Sequence, residues 1–131
     1  IVPSVFTKII AGELPGTFVH RDEIAVVIMT INPINTGHVL VIPRVEVDRW
    51  TDLDADTAAH LFSVAHRIGN AQISAFGCQR SALIIAGFEV PHVHLHVIPA
   101  DSLAHVSFDN AARTVDPADL ARAAELIASR L

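Results

Sequence analysis

Three histidines occupy alternate positions of one apolar run, His92-Val93-His94-Leu95-His96-Val97-Ile98, bracketed by Pro91 and Pro99. Side chains alternate faces along a strand, so His92, His94 and His96 are expected on one face and Val93, Leu95 and Val97 on the other. The second face is a core face. The first carries three titratable imidazoles within five residues. A neutral imidazole is a nucleophile toward phosphorus, and a neighbouring imidazolium can hold the phosphoryl oxygens or protonate a leaving group. That division of labour needs several histidines with different pKa values on one surface, and the alternating strand is expected to supply it. Two other readings stand beside it. One is an exposed face that carries histidines by chance. The other is a metal site: same-face neighbours on a strand lie about 6.6 Å apart and the outer pair about 13 Å apart. Zinc binds nitrogen at about 2.0–2.1 Å, so one ion could take two of the three, with His38 as a remote partner, but not all three.

The elements that must position this run are legible from pattern. Phe6 to Ala11 reads as a short apolar helix ended by Gly12, and Gly12-Glu13-Leu14-Pro15-Gly16 as a turn. Thr17–Arg21 and Ile24–Thr30 form a strand pair, and His38–Ile42 a third strand stopped by Pro43. Thr51-Asp52-Leu53-Asp54 offers helix N-caps, and Ala58, Leu61, Ala65 and Ile68 follow at helical spacing, which predicts a long helix to about Ala75 stopped by Gly77. Ser81–Ala86 and His92–Ala100 complete the strands. Asp116-Pro117 opens a last helix whose stripe is Leu120, Ala124 and Ile127. Short links between adjacent strands favour an α+β fold with an antiparallel sheet of about five strands, packed with one long helix, a short N-terminal helix and a C-terminal helix.

Composition narrows the function classes. The chain has 131 residues and a formal charge of −5, enough for one domain spanning 1–131, and its few cations are scattered. A polymeric nucleic acid partner would need a basic stripe, so none is expected. No run approaches the ~20 apolar residues of a membrane span, and no signal peptide pattern is visible. Cys78 is the single cysteine, so no intrachain disulfide forms and a reducing cytoplasm is expected.

Pro91-His92-Val93-His94-Leu95-His96-Val97-Ile98-Pro99 resembles the signature of the histidine-triad superfamily. Val5-Phe6-Thr7-Lys8-Ile9-Ile10-Ala11-Gly12-Glu13-Leu14-Pro15 is similar to that family's N-terminal segment, and Ile31-Asn32-Pro33 through Gly37-His38-Val39-Leu40-Val41-Ile42-Pro43 to its central loop and strand. The motifs run in order over about residues 4–100, leaving 101–131 as a C-terminal helical extension. The resemblance implies a HIT-like fold and a nucleotide-binding hydrolase or transferase acting on nucleoside phosphoramidates or related compounds. It puts the nucleophile at His94, the phosphate and leaving-group contact at His96, and orienting roles at His92 and His38. It places the nucleotide against Phe6, Ile9, Leu14, Ile28, Thr30, Ile31, Gly87 and Glu89. It implies a purine nucleoside monophosphate or derivative as partner, a symmetric homodimer built on the long helix and an edge strand around Ala82–Ala86, and no cofactor. Many relatives carry a zinc-binding Cys-x-x-Cys pair where this chain has Ser4 and Thr7, so no metal is expected. Thr30 stands where an acidic or amide side chain usually holds ribose, Phe88 where Gln is usual, and Glu89 sets a carboxylate beside the expected phosphate.

Overall fold

The computed structural model describes residues 2–131. Five strands form one antiparallel sheet in the order β1-β2-β3-β5-β4, where β1 is Phe18–Arg21, β2 Ala25–Met29, β3 Val39–Pro43, β4 Arg80–Ile84 and β5 Leu95–Ala100. Strands β2 and β3 pair from Ala25 opposite Pro43 to Met29 opposite Val39, and β3 pairs with β5 with Leu40 opposite His96. β2 and β3 are buried on both faces, which is why both read as unbroken apolar runs.

One face of the sheet packs against the two longer helices. Helix α2, Ala55–Phe76, is capped by Asp54, which accepts from the Thr57 N–H at 2.7 Å. It ends at Gly77, whose φ of 66° is the left-handed value that favours glycine. Helix α3, Pro117–Ala128, is capped by Asp116 with Pro117 in its first turn. Leu61, Val64, Ala65, Ile68 and Ala71 of α2 meet Ala25, Val27, Val39, Val41, Val93, Leu95 and Val97, and Leu120, Ala123, Ala124 and Ile127 of α3 complete this core. Burying each large side chain is worth about 1.5–3 kcal/mol. The other face carries a smaller core in which Phe6 of helix α1, Val5–Ile10, covers Val26, Ile28, Leu40 and Ile42.

Two side chains join these layers by polar contacts. Gln72 of α2 is fully buried. Its amide N–H groups donate to the carbonyls of Gly37 and Val97, and its carbonyl accepts from Ser81. At the opposite end, Asp22 accepts from His20 at 2.8 Å and His60 at 2.9 Å, pinning the β1–β2 hairpin to α2. Burial alone would raise the Asp22 carboxyl, but bonds from His20, the backbone of Ala25 and Ile24, and His60 hold it well below the usual range.

The structure corrects one local expectation. The strand does not run from His92 but begins at Leu95, so His92 and His94 belong to the turn that feeds it. The cause is that Val93 donates its N–H to the Val47 carbonyl and His92 its own to Val90, which takes this backbone away from the sheet. Nor is the imidazole side an exposed polar face: His92, His94 and His96 are all buried.

Candidate active site

The site lies on the α1 side of the sheet, in a cleft of about 840 Å³. His38, His94 and His96 line it, together with Phe6, Ile9, Leu14, Ile28, Thr30, Ile31 and Glu89. His92 and Gly87 do not. Gly87 has a φ of 84° and shapes the loop rather than the cleft wall. His92 sits behind the cleft, its ring 5.8 Å from that of Phe6.

The hydrogen bonds fix which nitrogen of each imidazole carries the proton. A backbone N–H can only donate and a carbonyl can only accept, so every ring nitrogen bonded to one has its role assigned. The Ile34 N–H donates to His38 Nδ1 at 3.1 Å, so the proton of neutral His38 is on Nε2. His38 Nε2 then donates to His96 Nδ1 at 2.9 Å, which leaves the proton of His96 on Nε2. That Nε2 is buried and has no protein partner among the described residues. His94 runs the other way. Its Nδ1 donates to the His92 carbonyl at 2.7 Å, so the neutral ring presents the Nε2 lone pair to the cleft. The rings of His94 and His96 are 5.0 Å apart. A nucleophilic lone pair and an N–H donor thus stand side by side at one end of an apolar groove.

Burial keeps the supporting rings neutral, so the partner of His94 is a neutral N–H donor and not the imidazolium expected from the sequence. It pushes His38 down to about 3, with a further contribution from His96. It pushes His96 down to about 4, aided by His94 and opposed by Glu89. Burial also lowers His92, against the upward pull of the Pro43 carbonyl and Glu46. At neutral pH these three rings are uncharged.

His92 is held by a network that sequence reading did not foresee. Its Nε2 donates to the Pro43 carbonyl at 2.8 Å, so its Nδ1 accepts from the Ser4 hydroxyl at 2.6 Å. Ser4 also caps α1 by accepting from the Thr7 N–H. Glu46 accepts from the Ser4 N–H at 2.7 Å and the Thr7 hydroxyl at 2.6 Å. The Ser4 and Thr7 hydroxyls are both spent, on His92 and Glu46. They do not fit zinc, which takes thiolate, imidazole or carboxylate. Glu89, His94 and His96 place one ligand-type atom each within 4.8 Å of one another. His96 presents an N–H to that point, and reversing it would set His38 Nδ1–H against the Ile34 N–H. That chain opposes a cation there.

The far wall comes from the C-terminal region. Phe108 lies edge-on to His96 at 4.8 Å, and Ala111, Ala112 and Arg113 line the cleft. Asn32 ties this segment down by donating to the carbonyls of Ala112 and Arg113. No spacing signal marks Glu46, Phe108 or Arg113 as site residues. Each reaches the site only through chain folding.

The HIT domain family model matches residues 11–103, which includes the central loop, the long helix and the whole histidine segment. The chain belongs to the HIT family. An uncharacterized HIT-like protein of Methanocaldococcus jannaschii is 32% identical over 102 residues, covering 72% of this chain and 77% of its own length. An adenylylsulfatase of Arabidopsis thaliana is 32% identical over 100 residues, but this chain matches only 51% of that protein. Among solved structures, a Hit-like protein of Bartonella henselae superposes with a TM-score of 0.86 at 25% identity, over 98% of this chain and 96% of its own. The HIT fold expected from the sequence is therefore the fold observed, and its reach includes the C-terminal helix.

Proposed function

We propose that this HIT protein is a nucleotide-binding hydrolase or transferase in which His94 Nε2 attacks the α-phosphate of a nucleoside phosphoramidate or related nucleotide. The observation that carries the reading is the opposed proton arrangement of His94 and His96 at the end of the apolar groove. The base lies among Phe6, Ile9, Leu14, Ile28 and Ile31. Thr30 Oγ1 already accepts from the Asn32 N–H, so its hydroxyl hydrogen is free for the ribose. The lone pair of His94 forms the new N–P bond as the bond from phosphorus to the leaving nitrogen breaks. His96 Nε2–H bonds the phosphoryl oxygen or the departing atom. The departing amine takes up one proton from solvent, and water releases one when it hydrolyses the nucleotidyl-imidazole, so the two halves balance.

His38 orients His96, and His92 orients His94 through its carbonyl. The test is hydrolysis of an adenosine phosphoramidate by the His94→Asn variant. Turnover is expected to vanish with the fold and thermal midpoint kept, and quenched wild-type protein is expected to carry a nucleotidyl adduct on His94. Unchanged turnover in the variant refutes the mechanism. A second reading, a nucleotide-binding protein with little turnover, is favoured by the Glu89 carboxylate 3.4 Å from His94 Nε2. It predicts a thermal shift with AMP and no hydrolysis.

We also propose that two copies associate in the reducing cytoplasm. β4 is an edge strand on which Leu83 is exposed, and Phe62 of α2 is exposed as well. Light scattering should give twice the monomer mass.

A further inference from the structure

Glu89 stands where the nucleophile must meet phosphorus. Its Oε2 is 3.4 Å from His94 Nε2, and its side chain is 57% exposed against 2% for His94. His94 Nδ1 is engaged with the His92 carbonyl, so the neutral ring, the form that can attack, turns its Nε2 lone pair toward that carboxylate. In that form two electron-rich atoms face one another across 3.4 Å. Attack requires phosphorus about 3–3.5 Å from Nε2, which is the shell the carboxylate occupies. An exposed side chain can swing aside, but its backbone cannot follow. His92 donates its N–H to the Val90 carbonyl, and Val90 itself lines the cleft. A displaced Glu89 therefore remains at the mouth of the cleft. In-line displacement sends the leaving group away from the buried Nε2, toward that mouth. Glu89 and Arg113 are the only charged side chains among the described lining residues, and the contact with His94 belongs to Glu89.

We infer that Glu89 selects substrates by the charge of the leaving group, favouring nucleoside phosphoramidates of cationic amines and disfavouring leaving groups that depart as anions. The inference rests on the nucleotidyl-transfer reading proposed above and names its substrate class. The chemistry is the same displacement. His94 Nε2 forms the bond to phosphorus, the P–N bond breaks with its electron pair on the amine, and solvent supplies the amine's proton. The distal ammonium is unchanged throughout and serves only to pair with the carboxylate. Sulfate, leaving from an adenylyl sulfate, meets the same carboxylate as a repulsion. For unit charges in a half-exposed cleft, attraction of this kind corresponds to about a three- to tenfold preference.

The test uses two AMP amidates of equal length, one of 1-aminopentane and one of 1,4-diaminobutane, with adenylyl sulfate as the anionic case. Their kcat/KM values are measured for wild type and Glu89→Gln at low and high salt. Wild type is expected to prefer the diamine amidate about three- to tenfold at low salt, less at high salt. Glu89→Gln is expected to bring that ratio near one and to raise the relative rate on adenylyl sulfate. Equal values for the two amidates in wild type, or a preference that survives in Glu89→Gln, overturns the inference and leaves the proposed function standing. If neither amidate is turned over, their dissociation constants by calorimetry are compared instead, and the same ratios support or overturn the inference. Failure of wild type to bind either one overturns both readings.

Discussion

Removing the Ser4 hydroxyl tests the network that holds His92 behind the cleft. Ser4 is buried, and one oxygen does two jobs: it donates to His92 Nδ1 at 2.6 Å and accepts from the Thr7 N–H at 3.1 Å. In Ser4→Ala the His92 Nδ1 is left buried without a donor, which costs about 1–3 kcal/mol. Loss of the α1 cap adds about 1 kcal/mol. The two share one atom and one locality, so about 2–4 kcal/mol brackets the sum. For a chain of this size that is a fall in Tm of roughly 8–16 °C, taking about 4 °C per kcal/mol. Denaturant unfolding followed by circular dichroism gives the free energy, and nitrogen NMR of the His92 ring reports its protonation. Ser4→Thr keeps the hydroxyl and should recover most of the loss. A destabilisation of Ser4→Ala below about 1 kcal/mol, with the His92 nitrogen shifts unchanged, would show that the hydroxyl neither pairs the ring nor fixes its proton.

Two further outcomes follow from the same interior. The folded values of about 3 for His38 and about 4 for His96 lie below the ordinary 6.5, so between these limits the unfolded chain binds more protons than the folded one. Stability is therefore full above about pH 6.5 and falls as pH drops toward 4. Near pH 5 the slope approaches about 2.7 kcal/mol per pH unit from two such groups. Urea midpoints measured from pH 4 to 8 check the sign, and a flat profile over this window would contradict neutral buried imidazoles. The second concerns Gln72: Gln72→Leu strands the Gly37 and Val97 carbonyls that flank His38 and His96. A loss of about 2–4 kcal/mol is expected. Isothermal denaturation decides it, and a variant as stable as wild type would remove the amide from the account.

Most of the fold was legible because its signals are local. Period-two and period-3.6 apolar patterns, the Asp54 and Asp116 caps, and glycine at 77 place every strand and both longer helices to within a few residues. The histidine segment misled at one point. Alternation predicts a strand from His92, yet it begins at Leu95, because backbone donors at His92 and Val93 find partners in Val90 and Val47 instead of the sheet. The alternation still placed Val93, Leu95 and Val97 in the core.

By itself the sequence determined the family, the sheet with its helices, and the four histidines His38, His92, His94 and His96, since residue types and spacing are properties of the chain. Only the tertiary structure decided how those histidines are hydrogen-bonded. The proton on His96 is set by an amide at Ile34 through His38, and the lone pair of His94 by the carbonyl of His92. His92 is steadied by Ser4, 88 positions away in the chain, and Phe108 and Arg113 close a wall that no motif announced. The direction of a hydrogen bond depends on which donor lies opposite which acceptor, and that is known only once distant segments have packed together.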